Sequence, residues 1–169
     1  MRTLNGLGRF SAIGLLLAAA ALSACQTTSG ADGETKIIGS DFRTTIDPSV
    51  ASGDPRLANV AKELAGIWNG SASGAGTGGV KITLAIESVT KGSSNSTLKA
   101  KGYTASERSN GRGRPTDIDI EVTNSGYSIL FDAASGRVEA HSMSKPGAME
   151  GQVITGRGRA DLALTKASS

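Results

Sequence analysis

From residue 54 onward the apolar positions of this chain follow two periods, and the change between them divides the domain. Leu57, Val60, Ala61 and Leu64 recur at three- and four-residue intervals, the spacing that puts side chains on one helical face. Asp54-Pro55 just before them offers a capping carboxylate and a proline suited to the first turn, and Gly66 follows where the helix would end. One short helix is predicted. Beyond it the period is two. Val80, Ile82, Leu84 and Ile86 alternate with Lys81, Thr83, Ala85 and Glu87, and Ile118, Ile120 and Val122 alternate with Asp117, Asp119 and Glu121. Tyr127, Ile129 and Phe131 resume after Asn124-Ser125-Gly126, and Leu162 and Leu164 come last. Weaker alternation surrounds Trp68, Leu98, Val138 and Val153, with turns rich in glycine, serine or proline between the runs.

The pattern predicts about eight short strands, each with one buried and one wet face, as in an antiparallel sheet. No crossover helices intervene, so the simplest closure is up-and-down. The predicted fold is all-β: a small antiparallel up-and-down barrel preceded by one short helix, over residues 54–169, with a two-sheet β-sandwich as the alternative. An eight-stranded barrel is just wide enough for side chains to fill it. Trp68, Tyr127 and Phe131 are therefore expected in a packed structural core rather than around a ligand cavity.

Upstream, residues 26–53 are rich in Ser, Thr, Gly and Asp and hold no sustained period. They read as a flexible tether with a reach of roughly 30 Å. Ile37, Ile38, Phe42 and Ile46 are its apolar exceptions, either clustering transiently or docking on the domain or a partner.

The amino terminus is basic at Arg2 and Arg9, and Phe10 to Leu22 is an almost unbroken apolar run. That is shorter than the about 20 residues a membrane-spanning helix needs, and it fits the hydrophobic region of a secretory signal. The run ends in Leu22-Ser23-Ala24-Cys25, which resembles the lipobox of bacterial lipoproteins. The resemblance implies a signal peptide over 1–24, cleavage before Cys25, and diacylglycerol and palmitate-type acyl groups on that cysteine. An acylated Cys25 and tether would then fill 25–53. The alternative is an ordinary secretory signal that happens to precede a cysteine. Gln26 stands where an aspartate would imply inner-membrane retention, so the resemblance implies the outer membrane. Cys25 is the chain's single cysteine, so a disulfide within the chain is excluded, whereas several acyl chains on one residue exceed the marginal hold of one.

A second resemblance lies at Gly66-Ile67-Trp68, which follows the predicted helix and opens the first strand. It is similar to the Gly-x-Trp start of the calycins, a group that includes lipocalins, avidins and small bacterial metalloprotease inhibitors. In that group the tryptophan plugs one end of the barrel, and the resemblance implies this role for Trp68. The chain departs from the group in lacking a helix after the last strand, the tryptophans that avidins place around biotin, and the disulfide usual in the inhibitors.

Composition narrows the function. The chain carries 18 Lys+Arg against 15 Asp+Glu; without Arg2 and Arg9 the balance is 16 against 15, so whole-protein attraction to nucleic acid is not expected. Exposed aromatics for base stacking are lacking as well. His141, the single histidine, falls on the wet alternation. Asp117, Asp119 and Glu121 read as a solvated strand face rather than the six or more oxygens of a hard-cation site. No catalytic residue, metal site or cofactor is predicted.

One motif remains. "GRGRPTDIDI" from Gly111 and "GRGRADLAL" from Gly156 repeat an Arg-Gly entry into a strand. In a meander, alternate loops share one end of the barrel. Arg112, Arg114, Arg137, Arg157 and Arg159 should gather there, with Lys91 and Lys145 at the other end, where the tether should arrive. Clustered guanidinium groups offer an anion-binding surface, for an anionic envelope component or an acidic protein partner. The function expected is a non-enzymatic lipoprotein, anchored by lipid in the cell outer membrane and facing the periplasm or the surface, whose barrel serves binding or envelope structure. The alternative is a periplasmic protease inhibitor that inserts the segment containing Phe42 and Ile46 into a protease cleft.

Overall fold

The computed structural model describes residues 34–74 and 79–168; the signal region and Cys25 lie outside them. The predicted helix is α2 (Pro55–Leu64), capped by Asp54, whose side chain accepts from the Arg56 amide. Before it come β1 (Lys36–Ile37), β2 (Thr45–Ile46) and α1 (Pro48–Ala51). After it come β3 (Gly66–Ser73), β4 (Val80–Lys91), β5 (Thr97–Ser106), β6 (Arg112–Thr123), β7 (Gly126–Ala133), β8 (Gly136–Ser142), β9 (Ala148–Thr155) and β10 (Gly158–Lys166).

Each strand from β3 to β10 pairs antiparallel with the next. β10 then returns to β3, with Leu164 opposite Gly70 and Lys166 opposite Trp68. Pairing runs unbroken round eight strands, so the sheet is a closed barrel and not a two-sheet sandwich. Closure leaves these strands no long free edge. The alternation predicts the faces correctly: Leu84, Ile118, Ile120, Ile129, Val138, Val153 and Leu162 are buried. A register shift at Glu87, between Ile86 and Ser88, keeps Val89 in the core by inserting one residue.

One end of the barrel is closed by helix. Val50 of α1 and Leu57, Ala61 and Leu64 of α2 join the strand residues in a single core cluster. Trp68 is fully buried, and its indole Nε1 donates to the Leu64 carbonyl at 2.8 Å. Tyr127 and Phe131 are each 4% exposed. Among the described residues no buried side-chain nitrogen or oxygen lacks a partner.

Residues 34–53 depart from the expected tether. They are laid on the barrel as a strap. β1 pairs with the start of β6, Lys36 opposite Gly113 and Ile37 opposite Arg112, and the Ile38 amide donates to Gly111. After a turn closed from Phe42 to Gly39, β2 runs parallel to β4, with Ile46 opposite Val89. The strap thus crosses from one end of the barrel to the other. On the way, the Phe42 and Tyr103 rings meet edge to face, centroids 6.4 Å apart, and Lys36 pairs with Glu87. Sequence pattern misses this because the strap's partners lie on three other strands, so no local period marks it.

Candidate functional site

The loops divide cleanly between two ends. The turns at 92–96, 124–125 and 143–147 share the end closed by α1 and α2. The segments 107–111, 134–135 and 156–157 share the other, with Ser73 and Val80 at the ends of β3 and β4, and all five predicted arginines lie in or beside these segments. Meander topology alone produces that gathering. Side-chain direction then divides the five.

The two Arg-Gly repeats enter their strands out of step. Thr104 pairs with Arg114 and Ala100 with Ile118 in one continuous register, so Arg112 and Arg114 share the inward alternation of Ile118. They continue it past the end of the core, where both are exposed. In the second copy one residue fewer separates arginine from aspartate, Ala160 replacing Pro115-Thr116. A one-residue slip moves side chains to the opposite face of a strand. Arg159 accordingly shares the outward alternation of Asp161, while Arg157 lies in the turn.

The glycines differ too. Gly113 lies beneath the strap, and a Cβ there would stand 2.6 Å from the Tyr103 Cβ and 2.9 Å from the Ile38 Cδ1. Gly158 instead has φ of 132° at the start of β10, a conformation that favours glycine. The repeat in sequence is not a repeat in structure.

Arg137 and Arg159 lie on the outer wall, both opposite Ile154 across β9. Their surroundings are acidic or polar. Arg137 is 3.7 Å from the Glu139 carboxylate and opposite Asp132, and Arg159 bonds Gln152 at 3.4 Å. Arg112, Arg114 and Arg157 make no ion pair among the described residues. Arg108, in the single helical turn Glu107–Ser109, makes none either. The sequence reading passed over it because it stands outside the repeat. The arginines of this end with neither an ion pair nor a side-chain hydrogen bond among the described residues are thus Arg108, Arg112, Arg114 and Arg157, and all four side chains are exposed.

The remaining candidates are placed as follows. His141 is exposed, between Ser128 and Glu150 on neighbouring strands. Asp117, Asp119 and Glu121 face outward, where Asp119 pairs with Lys99 at 3.3 Å. No group of three potential metal ligands occurs among the described residues. A concavity of about 1000 Å³ includes Ser71, Lys99, Asp119, His141, Glu150 and Asp161 in its polar lining. Those positions alternate with the core, so the concavity belongs to the wet side of the wall.

At the helix end the polar groups serve structure. The Tyr127 hydroxyl donates to Glu63 at 3.1 Å, and the Gly147 amide donates to the same oxygen at 3.2 Å. Burial pushes the Tyr127 phenol far above its ordinary range, and the Glu63 charge adds to that. Lys166 donates to the carbonyls of Lys62 and Glu63, a favourable cation at the C-terminus of α2, with its Nζ 6.0 Å from the Trp68 ring centroid.

No protein-family model and no curated protein sequence matches this chain. Solved structures of similar fold are artificial barrels. A fluorescence-activating β-barrel of de novo design is 18% identical, covering 64% of this chain and 97% of that one, with a TM-score of 0.42. A redesigned β-barrel is 15% identical, covering 70% of this chain and 100% of that one, at 0.47. Another, bound to DFHBI, is 14% identical, covering 64% and 98%, at 0.44. The fold assignment rests on the strand pairing itself.

Proposed function

We propose that this chain is a non-enzymatic lipoprotein of the outer membrane, acylated on Cys25, whose small β-barrel serves binding or envelope structure. The observation that carries it is Leu22-Ser23-Ala24-Cys25 at the end of the apolar run, with Cys25 the single cysteine of 169 residues. A barrel with a packed core and its one histidine on the outer wall is suited to presenting a surface. The binding surface is the arginine end, because four guanidinium groups there have neither an ion pair nor a side-chain hydrogen bond among the described residues. Bidentate contacts with phosphate or carboxylate suit such a set. Phe42 and Ile46 are engaged on the barrel, which favours this reading over an inhibitor that would insert them into a protease.

Growth with labelled palmitate tests the anchor. The wild-type protein is expected to incorporate label and to fractionate with the outer membrane. Cys25→Ser is expected to lose the label and retain its signal peptide. Equal labelling of both proteins would overturn the proposal.

A further inference from the structure

We infer that the arginine end is a membrane-facing surface that rests on an anionic lipid bilayer, the one in which the chain is anchored. This inference depends on the acylation of Cys25 proposed above. Four observations lead to it.

The first is where the chain arrives. The sequence leads one to expect the tether at the end where β3 begins, with the arginines pointing away from it. The strap reverses this. The first strand-paired residues, Lys36 and Ile37, lie against Gly113 and Arg112, at the arginine end, and only later does the strap reach the helix end at β2. The second is length. Nine peptide steps join Cys25 to Glu34, at most about 30 Å of fully extended chain. An acyl anchor at Cys25 therefore keeps the arginine end within that distance of the lipid surface.

The third is charge. Arg108, Arg112 and Arg114 lie beside the arrival point and Arg157 across the barrel mouth from it, all without ion pairs among the described residues, and the one acid of the Glu107–Ser109 turn is taken up by Lys81. Of the acids near this end, Glu107 and Asp132 stand against Lys81 and Arg137, and Asp117, Asp119, Glu121, Glu139, Glu150 and Asp161 lie on the outer wall. The arginine end thus carries guanidinium groups free of ion pairs among the described residues, and an anionic surface attracts them. The fourth is Ile37. It is 73% exposed, the most exposed large apolar side chain among the described residues, and it sits opposite Arg112 on the same face of the two-strand pairing. An apolar side chain flanked by arginines fits the headgroup boundary, where apolar burial and attraction to anionic lipid act together. Each arginine near such a surface raises the partition by roughly fivefold, so four acting together orient a protein already tethered. Docking here adds a second membrane contact to the acyl anchor.

The test uses the acylated, signal-processed protein purified from envelopes, after palmitate incorporation has been verified. Ser135→Cys at the arginine end and Ser144→Cys at the helix end, both exposed loop positions, are labelled separately with a fluorophore. Each is reconstituted into vesicles of phosphatidylcholine alone or mixed with phosphatidylglycerol, with a headgroup-labelled acceptor lipid. Greater energy transfer from Ser135→Cys than from Ser144→Cys in the anionic vesicles is expected. That contrast should collapse in neutral vesicles, at high salt, and when Arg108, Arg112, Arg114 and Arg157 are all changed to serine. It should survive Lys91→Ser with Lys145→Ser. Equal transfer from the two labels in an acylated protein, or greater transfer from Ser144→Cys, would overturn the orientation and leave the lipoprotein reading standing. Absence of palmitate would overturn both. Retention of the contrast in neutral vesicles would show that the tether alone sets the orientation and would overturn the role of lipid charge.

Discussion

The two ends of the barrel are built by opposite means. At the helix end, α1 and α2 insert Val50, Leu57, Ala61 and Leu64 into the core, and the buried polar groups of the plug have partners: Trp68 with Leu64, Tyr127 and Gly147 with Glu63, Lys166 with the last carbonyls of α2. At the arginine end, turns and exposed guanidinium groups replace the plug, and the β5–β6 hairpin runs on past the end of β7. The first end holds the fold together, because apolar burial is its main stabilising term. The second presents charge, because loops there bury little. Substitutions at the two ends should therefore separate stability from surface function, and their effects can be ordered by size.

The largest loss is expected from Trp68→Ala, about 3 to 5 kcal/mol, the usual range for truncating a core aromatic. Denaturant unfolding followed by circular dichroism measures it without the lost fluorophore. A loss below 1 kcal/mol would mean that the plug does not hold the barrel and would erase the contrast between the ends. Next comes Glu63→Ala, which strips the Tyr127 hydroxyl and the Gly147 amide of their shared acceptor. Leaving buried donors unsatisfied costs about 1 to 3 kcal/mol, and Glu63→Gln should recover part of it.

Tyr127 adds a pH dependence at the same end. Burial and the Glu63 charge disfavour the phenolate in the fold, so the folded pKa lies above the unfolded value of 10.0. Stability from this group is complete below about pH 10 and falls as pH rises further, since only the unfolded chain then releases the proton. Melting temperatures from pH 8 to 11.5 should decline less steeply in Tyr127→Phe than in wild type, and identical slopes would remove Tyr127 from the account.

The strap is intermediate between the two ends. Phe42→Ala removes an edge-to-face ring contact worth about 1 kcal/mol, and the visible result should be faster proteolysis between residues 39 and 45 with little change in global unfolding. The smallest effect belongs to the arginine end. Replacing Arg108, Arg112, Arg114 and Arg157 by serine should move stability by no more than about 0.5 kcal/mol, as for surface positions without buried partners. A larger loss would show that this end carries structure as well as charge.

The sequence by itself determined the local structure. The Asp54-Pro55 cap, the helical spacing from Leu57 to Leu64 and the alternation in the strands are encoded between residues one to four apart, so they can be read without knowing what lies across the fold. The burial of Trp68, Tyr127 and Phe131 followed from the same alternation. Tertiary structure alone decided the rest. Whether an arginine faces the barrel mouth or the wall depends on its count from the core residues of its own strand, which differs by one between the two Arg-Gly copies. The strap was hidden for a related reason: Lys36 meets Glu87 51 residues away, and Ile37 meets Arg112 on a strand that no local period connects to it. Contacts of that range form only when the closed barrel brings their surfaces together, and they are what place the entry of the chain beside the arginines.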